Sequence, residues 1–168
     1  MMFWQNAKRR FIAVAIQIGH AQKRGISNVA KSAYYRSATV LICTIVEGMV
    51  YQLVKEHTKS RGNIIGNRKE LKRLHQIPET VFKCKDVFMC KENQKDIHID
   101  DKGVTFDKLN IFLKKNKIVT AKEFRVLDYV RRERNKLHLQ GLNARDIGYT
   151  ANRINKVSKP LDFLLKKL

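Results

Sequence analysis

The chain has 168 residues, enough for one domain with a core of its own, and carries 35 Lys and Arg against 15 Asp and Glu for a formal charge of +20. The excess runs through the whole length, which excludes a basic arm on a neutral domain and makes the surface a site for polyanions: nucleic acid first, an acidic partner or anionic membrane second. Cys43, Cys84 and Cys90 have no zinc-type spacing, and no Gly-rich phosphate loop, Ser/His/Asp arrangement or metal-ligand cluster appears, so no cofactor and no metal are expected.

Lys8-Arg9-Arg10 followed by Phe11 to Gly19 resembles a signal peptide only briefly. The apolar run is short, Gln17 interrupts it and no small-residue cleavage site follows. No run reaches the roughly 20 apolar residues of a membrane span. A reduced, cytoplasmic protein without a membrane partner is the simplest expectation.

Helix one is predicted from Phe3 to about Lys23, with Trp4, Ala7, Phe11, Val14, Ile18 and Ala21 as an apolar stripe. Gly25 ends it, and Ser27 or Asn28 caps helix two, Val29 to about His57. The short connection makes the two antiparallel neighbours. Helix two is the most apolar element and should be buried nearly all round, which makes Glu47 an oddity. A carboxylate there either reaches water at a helix edge or pairs with an arginine of a later helix. Gly48 beside it allows a neighbour to approach closely.

Thr58 to Asn67 reads as a mobile basic loop containing Arg61, and Arg68 to Gln76 as a short helix ended by Pro78. Val87 to Cys90 and Ile97 to Ile99 read as two short strands of a hairpin around a polar turn. Phe106 to Lys115 is a short helix. A final helix carries Ile154, Val157, Leu161, Leu164, Leu165 and Leu168, and Pro160 should kink it or begin a second piece at Lys159.

The most informative stretch runs from Thr120 to Leu142. Thr120 and Glu123 form a capping box, so a helix begins there, and Gly141 is a plausible stop. Its last turns gather Arg131, Arg132, Arg134, Asn135, Lys136 and His138. Arg134 and His138, four apart, share a face. A solvated basic face at a helix C-terminus would suit the helix dipole equally well.

The string Arg-Xaa-Arg-Asn-Lys-Leu-His resembles the HEPN superfamily, whose signature is an Arg, a polar neighbour and a His, with four to six residues between the Arg and the His. Arg132 fits that gap, with five residues before His138, whereas Arg134-Asn135 fits the polar-neighbour rule with three residues before it. Both arginines are therefore candidates. The resemblance implies an all-α antiparallel bundle of about four to six helices. The segment from about 58 to 118 would be a loop and short-hairpin insertion in a single HEPN-like domain spanning 1–168. It also implies a metal-independent endoribonuclease, a toxin or defence effector, acting as a homodimer with a composite site. An antitoxin or regulatory protein would be a further partner.

On that reading His138, Arg132, Arg134 and Asn135 are catalytic, with Glu47 and Arg131 in support, while Lys136, Arg145, Arg61 and Arg68 would contact RNA. A histidine with a pKa near ~6.5 suits proton transfer, and the planar donor fork of arginine suits the charge developing on phosphorus. The alternative is a non-catalytic HEPN-like module that binds nucleic acid or a protein through the same surface.

Overall fold

A computed structural model describes residues 2–76, 88–139 and 148–168. The described residues form five α-helices and one two-stranded antiparallel sheet: α1 (Met2–Ala21), α2 (Asn28–Thr58), β1 (Ile64–Gln76), β2 (Phe88–His98), α3 (Phe106–Lys115), α4 (Ala121–Leu139) and α5 (Ala151–Lys167). The fold is thus mostly helical but not purely all-α.

Helix α2 is the centre of the bundle. Ser27 caps it by accepting from Ala30 N at 3.2 Å. Its Ala38, Ile42, Cys43, Ile45, Val46, Met49, Val50, Leu53 and Val54 are all buried, and α1, α3, α4 and α5 each pack against it. By length and composition α2 could cross a membrane, but more than half of its apolar window is buried in the bundle, the place of a core helix. Its threonines fit this setting because their hydroxyls bond back along the helix: Thr39 donates to Tyr35 O at 2.8 Å and Thr58 to Val54 O at 2.9 Å.

Helix α1 is antiparallel to α2, since Phe3 lies against Gly48 while the His20 and Tyr34 rings stack at 5.2 Å near the other end. A Cβ at position 48 would come within 2.8 Å of the Phe3 ring, so this glycine sets how closely α1 approaches. Ala7, Val14 and Ala21 are buried as the stripe predicts, whereas Trp4 is exposed and packs edge-on against the Phe3 ring.

The segment after α2 departs most from expectation. The stretch from Thr58 to Asn67 is not a loop: α2 continues to Thr58, a 3-10 turn covers Lys59–Arg61, and Gly62 turns the chain with a left-handed φ of 64°. Residues 68–76 are not a helix but most of β1. Strand β2 is one continuous strand, pairing with β1 from Ile64↔His98 to Gln76↔Phe88, in place of two short strands pairing with each other. Position 87 and Pro78 lie outside the described residues. Local propensity favours helix for Arg68 to Gln76, yet that helix would have almost no apolar face to bury. Cross-strand partners supply what is missing. Arg68 stands opposite Lys95, and Glu70 relieves the repulsion at 2.8 Å from the first and 3.8 Å from the second. Lys69 meets Glu92 at 2.6 Å. The ribbon is tied down at its base by buried Ile99, whose N–H donates to Asn63 O at 2.9 Å.

Helices α3 and α4 run antiparallel, with Asp107 near Arg131 at one end and Lys114 Nζ 4.6 Å from the Phe124 ring centroid at the other. The capping box is present: Glu123 N donates to Thr120 Oγ1 at 3.2 Å and Thr120 N to Glu123 Oε2 at 2.7 Å. Glu123 also meets Lys167 at 3.6 Å, fastening the end of α5 to the start of α4. Helix α5 runs unbroken through Pro160, which is buried alongside Ile154, Val157 and Leu164. Burial of that apolar face outweighs the one backbone hydrogen bond that proline removes.

The amide of Asn110, on the buried face of α3, has no hydrogen-bond partner at either its oxygen or its nitrogen. An unpaired buried amide costs about 1–3 kcal/mol, so Asn110→Leu, of similar volume, should raise stability by about 1 kcal/mol. Urea unfolding followed by circular dichroism measures this, and a lowered midpoint would mean that the amide has a partner in solution.

Candidate functional site

Helix α4 meets α2 along a short polar seam. Cys43 Sγ lies 4.0 Å from Val130 O, and one turn further along each helix Arg134 Nε lies 2.9 Å from Glu47 Oε2. The side chains of Glu47 and Arg134 are 25% and 34% exposed, so the pair is half-sheltered between the helices. The lone carboxylate in the apolar stretch of α2 is thus accounted for by an arginine of the signature helix. Burial, with the negative charges of Glu133 and Glu47 nearby, pushes the Cys43 thiol up to about 12, against the opposing effect of Arg134. Cys43 is consequently a core residue and not a nucleophile.

Glu47 also lines a cavity of about 330 Å³ with Arg10, Thr44, Gly48, Tyr51, Ile99, Val104, Phe106 and Leu109. The hydroxyl of Tyr51 donates to Asp100 Oδ1, and this bond, reinforced by burial, holds Tyr51 up at about 12.

Arg131 and Arg132 are engaged by aspartates. Arg131 donates to Asp128 Oδ1 from Nε at 2.9 Å and from Nη2 at 2.7 Å, and its Nε lies 3.2 Å from Asp107 of α3. Arg132 Nη2 lies 2.6 Å from Asp128 Oδ2 and its side chain is 63% exposed. One aspartate therefore holds two arginines: Arg131 as a clamp between α3 and α4, Arg132 as a tethered but solvent-facing cation. Burial alone would raise the Asp128 carboxyl, but the Arg131 hydrogen bonds and the charges of Arg131 and Arg132 hold it below its ordinary value of 3.8.

Lys136 is exposed and donates from Nζ to Glu133 Oε1 at 3.0 Å. The Glu133 side chain is only 3% exposed, and Arg153 Nε approaches its other oxygen to 3.2 Å without hydrogen-bond alignment. The Arg153 guanidinium also lies over the Tyr149 ring, 4.6 Å from its centroid. Asn135 is exposed. Arg61 sits in the exposed 3-10 turn, and Arg68 lies on β1, paired with Glu70. The backbone of His138 belongs to α4, but its side chain lies outside the described residues, as does all of Arg145.

Of the residues singled out from sequence, the structure brings Glu47 to Arg134 and groups Arg131 with Arg132 through Asp128. It places Arg61 and Arg68 on the segment that leads from α2 into the ribbon. Asp128, Asp107 and Glu133 were missed as organisers of the cluster. The spacing of Asp128 to Arg131 and Arg132, three and four residues, was a readable signal, but the contribution of Asp107 from another helix was not. Among the described residues, no group of three or more His, Cys, Asp or Glu is arranged to hold a metal ion.

No family model, no curated protein and no solved structure matches this chain.

The lowered carboxyl of Asp128 has a consequence in acid. A group whose folded pKa is depressed contributes stability above its unfolded pKa, and that contribution is lost as pH falls through the folded value. Thermal midpoints of the wild type should therefore fall as pH drops below about 4, while Asp128→Asn should be less stable at neutral pH and show a shallower acid limb. Equal acid limbs would mean that the Arg131–Asp128–Arg132 cluster does not persist in solution.

Proposed function

We propose that this chain is a HEPN-like, metal-independent endoribonuclease whose site lies at the C-terminal half of α4. The observation that carries the reading is the ion pair between Glu47 and Arg134. It joins the carboxylate of the central helix to the arginine that shares a helical face with His138.

In the proposed reaction the RNA 2′-hydroxyl attacks the adjacent phosphorus. A base takes the 2′-hydroxyl proton as the 2′-O–P bond forms. The P–O5′ bond breaks, and a proton is delivered to the departing 5′-oxygen. The products are a 2′,3′-cyclic phosphate and a 5′-hydroxyl. His138 supplies the proton-transfer group and Arg134, on its face of α4, meets the charge that develops on the phosphorane oxygens, while Arg132, on another side of the helix, holds the strand. Glu47 sets the direction of Arg134 without reaching substrate, so it is a positioning residue. Arg131, spent on two aspartates, is structural. Asn135, exposed beside Arg134, would orient a phosphate oxygen or the imidazole. A site of this kind built across a homodimer would draw its groups from two chains. The same chemistry suits a toxin or defence effector held in check by a partner protein. The second reading, a non-catalytic RNA-binding module, is favoured by the engagement of Arg131, Arg132 and Lys136 with acids of their own chain.

His138→Ala should abolish cleavage of a generic single-stranded RNA while keeping the helical circular-dichroism signal, and the wild type should cut in excess EDTA. Arg132→Lys and Arg134→Lys, which keep charge but lose the planar fork, should each lower the rate by roughly tenfold or more, with Arg131→Lys near wild type. Complete dependence on Mg²⁺, or damage from Arg131→Lys alone, would overturn the assignment.

A chain at +20 repels its own copy, so the proposed dimer should tighten when an anion or RNA neutralises the signature helices. Sedimentation velocity with and without a non-cleavable RNA reads this directly. A chain that stays monomeric under every condition and still cuts RNA would rule out the composite site.

A further inference from the structure

A second feature of α4 lies away from the Glu47–Arg134 seam. Between α4 and α5 runs an open trough of about 500 Å³ lined by Lys122, Arg125, Val126, Tyr129, Lys156 and Lys159. Val126 and the half-buried Tyr129 form its floor, and four exposed cations stand on its two walls. None of the four pairs with a carboxylate among the described residues. They differ in this from Arg131, Arg132, Arg134 and Lys136, all of which are engaged.

We infer that this trough binds the sugar-phosphate backbone of single-stranded RNA and leads it along α4 towards Arg132 and Lys136. The placement rests on the proposed ribonuclease reading only for the destination of the strand. Three properties select this ligand. Cations on both walls with no acid of their own match a chain of phosphates passing between them, not a single bound anion. An aromatic ring with an aliphatic neighbour on the floor offers a stacking platform that accepts any base. The trough also points along the helix: Arg132 and Lys136 follow Tyr129 at three and seven residues, on the same side of α4. A lipid surface fits less well, because the exposed Leu165 and Leu168 of α5 each come nine residues, two and a half helical turns, after Lys156 and Lys159 and so face the opposite way.

The assignment also separates the roles of two arginines. Arg132, exposed and on the trough side, is placed to meet the incoming strand, while Arg134, held by Glu47, lies on the other side of the helix.

The test uses the full chain and a fluorescein-labelled 2′-O-methyl oligouridylate of about 12 nucleotides, which cannot be cleaved. Anisotropy titrations across a salt series compare the wild type, Lys156→Glu/Lys159→Glu, and Lys8→Glu/Lys23→Glu. The last pair carries the same change in net charge on exposed positions in α1 (Lys8) and just after it (Lys23). The trough variant should lose roughly tenfold or more in affinity, and its log–log salt slope should shrink by about 1.4, as expected for two lost single-strand phosphate contacts. The α1 variant should lose roughly threefold or less. Equal losses in both variants would reduce the trough to general charge and overturn the inference. So would displacement of the RNA by polyglutamate or phosphatidylserine vesicles at lower phosphate-equivalent or carboxylate concentrations than by unlabelled RNA. His138-dependent cleavage together with trough-independent binding sinks this inference and leaves the ribonuclease reading standing. Trough-dependent binding by a chain that never cleaves RNA upholds the trough and sinks the ribonuclease reading.

Discussion

A carboxylate in the middle of the most apolar helix is tolerable only where a cation reaches it, and that requirement governs how α4 sits on α2. Glu47 has water on one side, but its neighbours Ile45, Val46, Met49 and Val50 are all buried, so it cannot turn fully outward. Arg134 answers it from across the interface, and the contact between Cys43 and Val130 O one turn away keeps the two helices in register. Replacing the pair by apolar residues could serve packing equally well, so the pair fixes where the arginine points more than it stabilises the bundle.

The rest of the signature helix follows from the same economy of acids. The chain has 15 carboxylates for 35 cations, and several of the few it has are spent on α4 or at its ends: Glu47 on Arg134, Asp128 on Arg131 and Arg132, Glu133 on Lys136 and Arg153, Glu123 on Thr120 and Lys167. These contacts fix where the guanidinium groups point. The trough between α4 and α5 is left with cations alone, so the helix carries an ordered cluster on one side and open positive charge on another. Both properties would serve a protein that must hold a flexible polyanion and act on one of its phosphates.

The helical frame was legible because its signals are local. The Thr120–Glu123 capping box, the Ser27 cap, the Phe106–Lys115 helix and the apolar run of α2 are each decided by residues within a few positions of one another. The pairing of Glu47 with an arginine of the later helix was also foreseeable, since a lone acid in an apolar helix demands a partner and that helix supplies arginines. What could not be read was decided by contacts distant in sequence. Arg68 to Gln76 has the composition of a helix and becomes a strand because β2 arrives to pair with it. Asp107 reaches Arg131 from another helix. Trp4 follows the helical stripe of α1, yet it is Phe3 that packs against Gly48 of α2, and Trp4 is left exposed on the Phe3 ring.

Among the described residues the ribbon of β1 and β2 has two strands, so each has one edge of backbone amides and carbonyls that no described strand covers. Such edges recruit further strands, and the residues from Asn67 to Arg73 are exposed. What guards them is the dense row of lysine and arginine, which makes two copies of the ribbon repel. That protection is electrostatic and therefore conditional: at ionic strengths where the Debye length shrinks to about 3 Å, near 1 M salt, the guard fades while the hydrogen-bonding edges remain. The solubility of this strongly charged protein thus has a weak point in its one exposed sheet, where high salt removes the barrier to strand-to-strand growth.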